Sequence, residues 1–215
     1  MPRLDDYNQA AALAREQLCE KNPDLVARFS GADVVRDKEG STSFSFLFLN
    51  QALRIPWPDF KVLSEKTGEE IPIQQQVLIL HYLRGAWASS GAEPTGEWIS
   101  FQEVPDGRFY LDAFHRRAKN PLVQTFGEKP QMMVKLAKQA YGAEPFDQGD
   151  VSVLIRPLPL VPVALILWEG DEEFPPEGNI LFDHNIIQLL SAEDIAWLSG
   201  TIVYPLIGMA KTAAA

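Results

Sequence analysis

The chain has a single cysteine, Cys19, in 215 residues. An intramolecular disulfide is therefore excluded, as is any zinc or iron–sulfur site built from several thiolates of this chain. Positive charge is also short: 19 Lys and Arg stand against 29 Asp and Glu, a formal net charge of −10. That balance argues against broad nucleic-acid binding, which needs a positive surface to displace phosphate counterions. It disfavours anionic membrane surfaces for the same reason. Long apolar runs are missing too. The longest, residues 158–168, is interrupted by Pro159 and Pro162 and falls well short of the roughly 20 residues a spanning helix needs. Residues 1–8 lack the basic-then-apolar layout of a secretory signal, so the expected location is cytoplasmic. The terminal Ala213, Ala214 and Ala215 read as a cloning remnant without functional weight. There is no Gly-x-Ser-x-Gly elbow, P-loop, dinucleotide fingerprint or His-Glu-x-x-His motif. These absences remove the most recognisable enzyme classes and leave enzymes in general open.

Apolar residues make up 46% of the chain, enough for a core that needs neither disulfide nor metal. No repeat, low-complexity tract or linker interrupts the sequence, which reads as one domain over residues 1–215. Residues 4–19, rich in Ala, Leu, Glu and Gln, predict a helix, and Pro23 opens a second that Gly31 closes. Thr42, Phe44, Phe46 and Phe48 alternate with Ser43, Ser45, Leu47 and Leu49, the period of a strand with one packed face. Asn50 and Gln51 turn the chain into residues 52–55, and residues 60–63 predict a further strand. Residues 72–88 give the strongest helix, with apolar groups nearly all round it and burial on most sides. A strand is expected over residues 98–104. Helical pieces follow over residues 110–142, broken at Pro121, Gly127 and Pro130.

Residues 150–168 return to strand, and the apolar stretch 163–168 suits a central, doubly covered position. The prolines of residues 158–162 place a bend or a sheet edge there. Ser191 caps a last helix with Asp194 in its first turn, and Pro205 kinks it. The expected class is α+β, a mainly antiparallel sheet with helices packed on it.

Leu158-Pro159-Leu160-Val161-Pro162, Leu167-Trp168-Glu169-Gly170-Asp171-Glu172-Glu173-Phe174-Pro175 and Ile180-Leu181-Phe182-Asp183 form one group of motifs. Leu80-His81-Tyr82-Leu83 and Trp98-Ile99-Ser100-Phe101 join them upstream. With these the chain resembles the uncharacterised family called domain of unknown function 3786, from about Trp57 to the last helix. The resemblance implies an association with corrinoid, tetrapyrrole or related metallocofactor metabolism in anaerobic bacteria and archaea. Some relatives carry a four-cysteine iron–sulfur segment, from which this chain, with Cys19 alone, departs. The resemblance supplies no catalytic residues.

Candidate residues come from chemistry. Asp171, Glu172 and Glu173 follow a buried strand, with Asp183 nearby, and hard cations bind several carboxylate oxygens. The segment lacks the spacing of a calcium loop, and successive side chains in an extended segment point to opposite faces. The bland reading is a solvated turn tied by Asp171. His81 and Arg84 sit in the apolar helix, where they need partners or a cleft. A neutral imidazole there can ligate the metal of a corrinoid or haem-type tetrapyrrole, and a core hydrogen bond is the plainer alternative.

His184 adjoins Asp183, and His115 with Arg116 and Arg117 offers an anion site or a solvated helix face. Trp57, Trp87, Trp98 and Trp168 line a pocket for a flat ligand or simply pack.

The leading expectation is a cofactor-binding protein with contacts among His81, Arg84, Trp168, Asp171, Glu173, Asp183 and His184. A metal-dependent or acid–base enzyme using the acidic turn is the second. A non-catalytic accessory or assembly protein, its bent proline segment docking a protein partner of unspecified kind, is the third.

Overall fold

The computed structural model describes residues 4–213, so Ala214 and Ala215 of the terminal alanine run lie outside the described residues. The fold is α+β with two antiparallel sheets. Packing divides the chain into two compact units. The first runs up to Glu93 and takes in Leu158–Leu160 and Gln188–Leu190, and the second holds the remainder.

In the first unit α1 (Leu4–Cys19) leads to α2 (Pro23–Ser30), which carries the predicted terminators. Asn22 accepts from the Leu25 amide at its start, and Gly31, at φ 65°, ends it in the left-handed region. The sheet that follows has strand order β1 (Asp33–Arg36), β2 (Thr42–Phe48), β3 (Gln51–Pro56) and β4 (Leu63–Ser64). Leu49 and Asn50, both at positive φ, make the two-residue turn between β2 and β3, pairing Phe48 with Gln51. Phe44, Phe46 and Phe48 are buried as their alternation predicts.

The strand expected at residues 60–63 shrinks to β4. Phe60 sits at φ 51° in a turn after Trp57–Pro58, and its fully buried ring packs on Phe44. Helix α3 (Ile73–Ala88) packs on α1 and α2, and its Tyr82 meets Phe46 edge-on at 6.2 Å. The Tyr82 hydroxyl donates to the Ser30 carbonyl at 2.6 Å and accepts from the Leu160 amide at 3.3 Å, and burial pushes its pKa well up.

The second unit is built on a sheet of order β5 (Trp98–Ser100), β9 (Glu177–Asp183), β8 (Val161–Trp168), β7 (Val151–Leu158) and β6 (Glu144–Pro145). β8 is central and buried along all but its last residue, as its apolar sequence predicts. The proline segment is the tip between β7 and β8, with Pro159 and Leu160 between the strands.

The strand expected over residues 98–104 stops at Ser100. Glu103 accepts from both the amide and the hydroxyl of Ser100, a capping box that turns the chain into a 3₁₀ helix at Phe101–Glu103. Beyond it, α4 (Gly107–Phe114), a π-turn (His115–Lys119) and α5 (Asn120–Phe126) follow one another without a gap, so the expected break at Pro121 is absent. A proline ring crowds the carbonyl four residues back. The wider π-turn, in which the Asn120 amide donates to the His115 carbonyl, takes up that mismatch just ahead of Pro121.

Helix α6 is Pro130–Tyr141, α7 is Ile186–Leu189, and α8 spans Ala192–Ala213. Ser191 and Asp194 cap α8 reciprocally, and α4, α5 and α6 pack along it. Among the described residues no helix is long and apolar enough to cross a membrane.

Candidate functional site

Each residue expected at the site has a definite place. His81 and Arg84 are half-buried on α3 in the first unit. Gly85 lies one helical turn beyond His81 on the same face. A Cβ on Gly85 would stand 2.0 Å from the Leu189 carbonyl oxygen, so the chain's own backbone covers that face. A corrinoid or haem bound through His81 would have to clear the Leu189 backbone that closes this part of α3. Mixing the protein with haem or cobalamin is therefore expected to give the same absorbance spectrum for wild type and His81→Ala. A saturable band that the substitution removes would restore His81 as a ligand.

The remaining expected residues lie in the second unit. Trp168, at the exposed end of β8, pairs with Glu177. Asp171 and Glu173 are both exposed. Asp171 accepts from the amides of Glu173 and Phe174, each at 2.8 Å, and these backbone bonds hold its carboxyl below the usual range. This is the turn-tying role of the bland reading.

Asp183 is buried at the end of β9. One carboxylate oxygen accepts from the Thr95 amide, the Thr95 hydroxyl and the Asn185 amide, and the other from the Gly96 amide at 2.7 Å. Burial pushes its pKa up, and these donors outweigh that effect and hold it below the ordinary carboxylate range. The neighbouring His184 is half-buried, and its amide donates to the Glu97 carbonyl. Among the described residues no group of three or more His, Cys, Asp and Glu is placed to hold a metal ion.

The four tryptophans considered for a pocket, of five in the chain, occupy separate settings. Trp87 meets Phe29 edge-on beneath the Lys21 ammonium, Trp98 packs on Phe146, Trp168 ends β8 and Trp57 follows β3.

A different set of residues lines a half-open cavity of about 140 Å³ in the second unit. Its apolar wall is Phe101, Leu111 and Phe114. The Phe101 and Phe114 rings stack at 4.3 Å and 3°, and both meet Phe182 edge-on. Its polar wall is Ser100, Gln102, His115, Lys119 and Asn179. The π-turn puts His115 and Lys119 on one wall, with Arg116 turned out to donate to the Asp112 carbonyl.

Burial first, and the Lys119 ammonium second, lower the His115 pKa against an opposing pull from Asp112, which favours neutral imidazole. Ser100 gives its hydroxyl proton to Glu103, so it faces the cavity as an acceptor. Asn179 uses its carbonyl oxygen on the Ile180 amide, which leaves its NH₂ to donate. Of these residues only His115 was singled out by its sequence neighbourhood. The Ser100-x-x-Glu103 capping signature and the four-residue spacing of His115 and Lys119 were the available signals for the rest.

A family model described as Domain of unknown function (DUF3786) matches residues 22–204. The chain belongs to this family. The DUF3786 match begins at α2, well before Trp57, and takes in every residue lining the cavity. Neither a comparison with curated proteins nor one with solved structures finds a match.

Proposed function

We propose that this DUF3786 protein binds a small anionic ligand in the cavity beside the π-turn. The observation that carries this reading is that Lys119, His115 and Asn179 all line one half-open cavity. Lys119 supplies a permanent positive charge, and His115 and Asn179 supply neutral donors in surroundings drier than bulk water. No carboxylate or thiol lines the cavity, so its chemistry is recognition by charge and hydrogen bond. The net charge of −10 favours a small ligand over a nucleic acid, which needs a broad positive surface. The first ligand contact thus moves from His81 to His115.

The test is an NMR titration of the whole chain with phosphate, acetate and benzoate, following the His115 imidazole signals. At least one of these anions is expected to give a saturable shift with a Kd of about 1 mM or tighter, and Lys119→Met, which keeps the apolar stem, should abolish it. The reading is overturned if all three leave His115 unmoved, or if Lys119→Met binds as well as wild type.

A further inference from the structure

We infer that the cavity takes up its anion together with a proton, which His115 receives, so that binding tightens as the surroundings turn acid. This rests on the anion-binding reading and adds the regulation of that site.

The geometry supplies the coupling. His115 and Lys119 are the first and last residues of the π-turn, and both line the same half-open cavity. Lys119 keeps its charge at any ordinary pH, whereas an imidazole gains or loses its charge close to neutrality. Both side chains are half-buried, so bulk water screens them only in part. In the empty cavity, burial and the Lys119 ammonium both disfavour a second positive charge and hold His115 neutral. An anion between them cancels that repulsion and offers the imidazolium a charge-assisted hydrogen bond. The empty site thus resists the proton, and the filled site draws it from water. By linkage, the factor by which the anion raises the proton affinity of His115 is the factor by which the proton raises anion affinity.

The neighbouring charges leave this role to His115. Among the described residues that line the cavity, it is the one side chain that changes charge between about pH 5.5 and 8. Helices α4, α5 and α8 and strand β9 pack against the π-turn. On α4, Asp112 pulls His115 towards protonation, Tyr110 donates to Glu193, and Arg108 is exposed. α5 carries no ionisable side chain. On α8, Glu193 holds Tyr110, Asp194 caps with Ser191, and Tyr204 and Lys211 are exposed. On β9, Asp183 is bonded by Thr95, Gly96 and Asn185, and Glu177 is exposed at the far end of the strand. Within the turn, Arg116 donates to the Asp112 carbonyl and Arg117 backs onto Gly200. Glu103 accepts from Ser100 of the lining, and these bonds keep it ionised throughout this range. His184 acts on Glu103, and any share it holds in the pH dependence would survive the loss of His115.

The experiment measures Kd for acetate, benzoate and sulfate on the intact protein at pH 8 and pH 5.5, with the imidazole signals followed by NMR. Phosphate is left out because it changes charge itself in this range. Binding is expected to be about fivefold or more tighter at pH 5.5, as follows if the anion raises the His115 midpoint by about one unit. The imidazole titration, with and without saturating anion, reads that rise directly on the wild-type chain. In His115→Asn, which also assigns the His115 signals by their loss, the ratio between the two pH values should fall below about twofold.

Saturable binding at His115 with the same Kd at both pH values, or an unmoved His115 midpoint, would overturn the proton coupling and leave the anion reading intact. A pH ratio undiminished in His115→Asn would overturn it too. Silence from all three anions would overturn the coupling, and silence from phosphate as well would overturn the anion reading with it.

Discussion

Gly85→Ala is expected to lower the midpoint of thermal unfolding by about 4–8 °C, whereas Gly208→Ala, another helical glycine, should raise it. A Cβ at position 85 would lie 2.0 Å from the Leu189 carbonyl oxygen, 2.6 Å from its carbon and 2.8 Å from its Cα. All three are backbone atoms, so no rotamer change relieves the clash, and either α3 or the Gln188–Leu190 segment must shift. Overpacking of this kind costs roughly 1–3 kcal/mol and occasionally more. Better helix propensity returns about 1 kcal/mol of that. A clash this deep belongs at or beyond the top of the range, which leaves a net loss of about 2 kcal/mol.

At Gly208, exposed on α8, a Cβ meets nothing within 4 Å. There only the propensity gain operates, worth up to about 1 kcal/mol and a few degrees. Calorimetry of the two variants decides the matter by sign. A rise for Gly85→Ala comparable to that for Gly208→Ala would mean that the Gln188–Leu190 backbone does not lie on α3.

Local pattern made much of the fold legible. The alternation of residues 42–49, the apolar girth of α3, Gly31 after α2 and Ser191 before α8 are each decided within a few residues, and each appears where expected. The misses share a cause: a side chain was already committed elsewhere. Phe60 leaves strand geometry to fill the space beside Phe44. Ser100 ends its strand because Glu103 takes both its donors. The helix continues past Pro121 because a π-turn absorbs the proline, and no periodicity reports such a turn in advance.

The site was less legible, for the same reason enlarged. Choosing residues by chemical type selected Asp171 and Asp183, whose carboxylates are used to tie turns. The cavity draws on the end of β5, the helical stretch through the π-turn and β9, which lie far apart in the sequence.

Asp183→Asn is expected to cost about 2–3 kcal/mol at neutral pH through the loop that follows α3, with no loss of anion binding at His115. The carboxylate accepts four hydrogen bonds, from Thr95 twice, Gly96 and Asn185. An asparagine keeps one accepting oxygen and presents NH₂ in place of the other. If the oxygen stays with Thr95 and Asn185, the NH₂ faces the Gly96 amide, donor against donor, in a buried place. The Gly96 amide should accordingly lose protection in hydrogen exchange.

The pH dependence has a definite sign. The folded carboxyl titrates below its unfolded value of about 3.9, so its contribution is complete above that value and disappears as pH falls through the folded pKa. Denaturant unfolding of wild type and variant should thus show a constant gap between about pH 5 and 8, closing on further acidification as wild type alone loses the contribution of this charge. A gap that widens as the pH falls from 7 towards about 4 would mean that the carboxyl is raised and that desolvation, not the ring of donors, governs it. A variant as stable as wild type that fails to bind any anion would return Asp183 to ligand recognition, and the cavity wall would then have to be redrawn to include it.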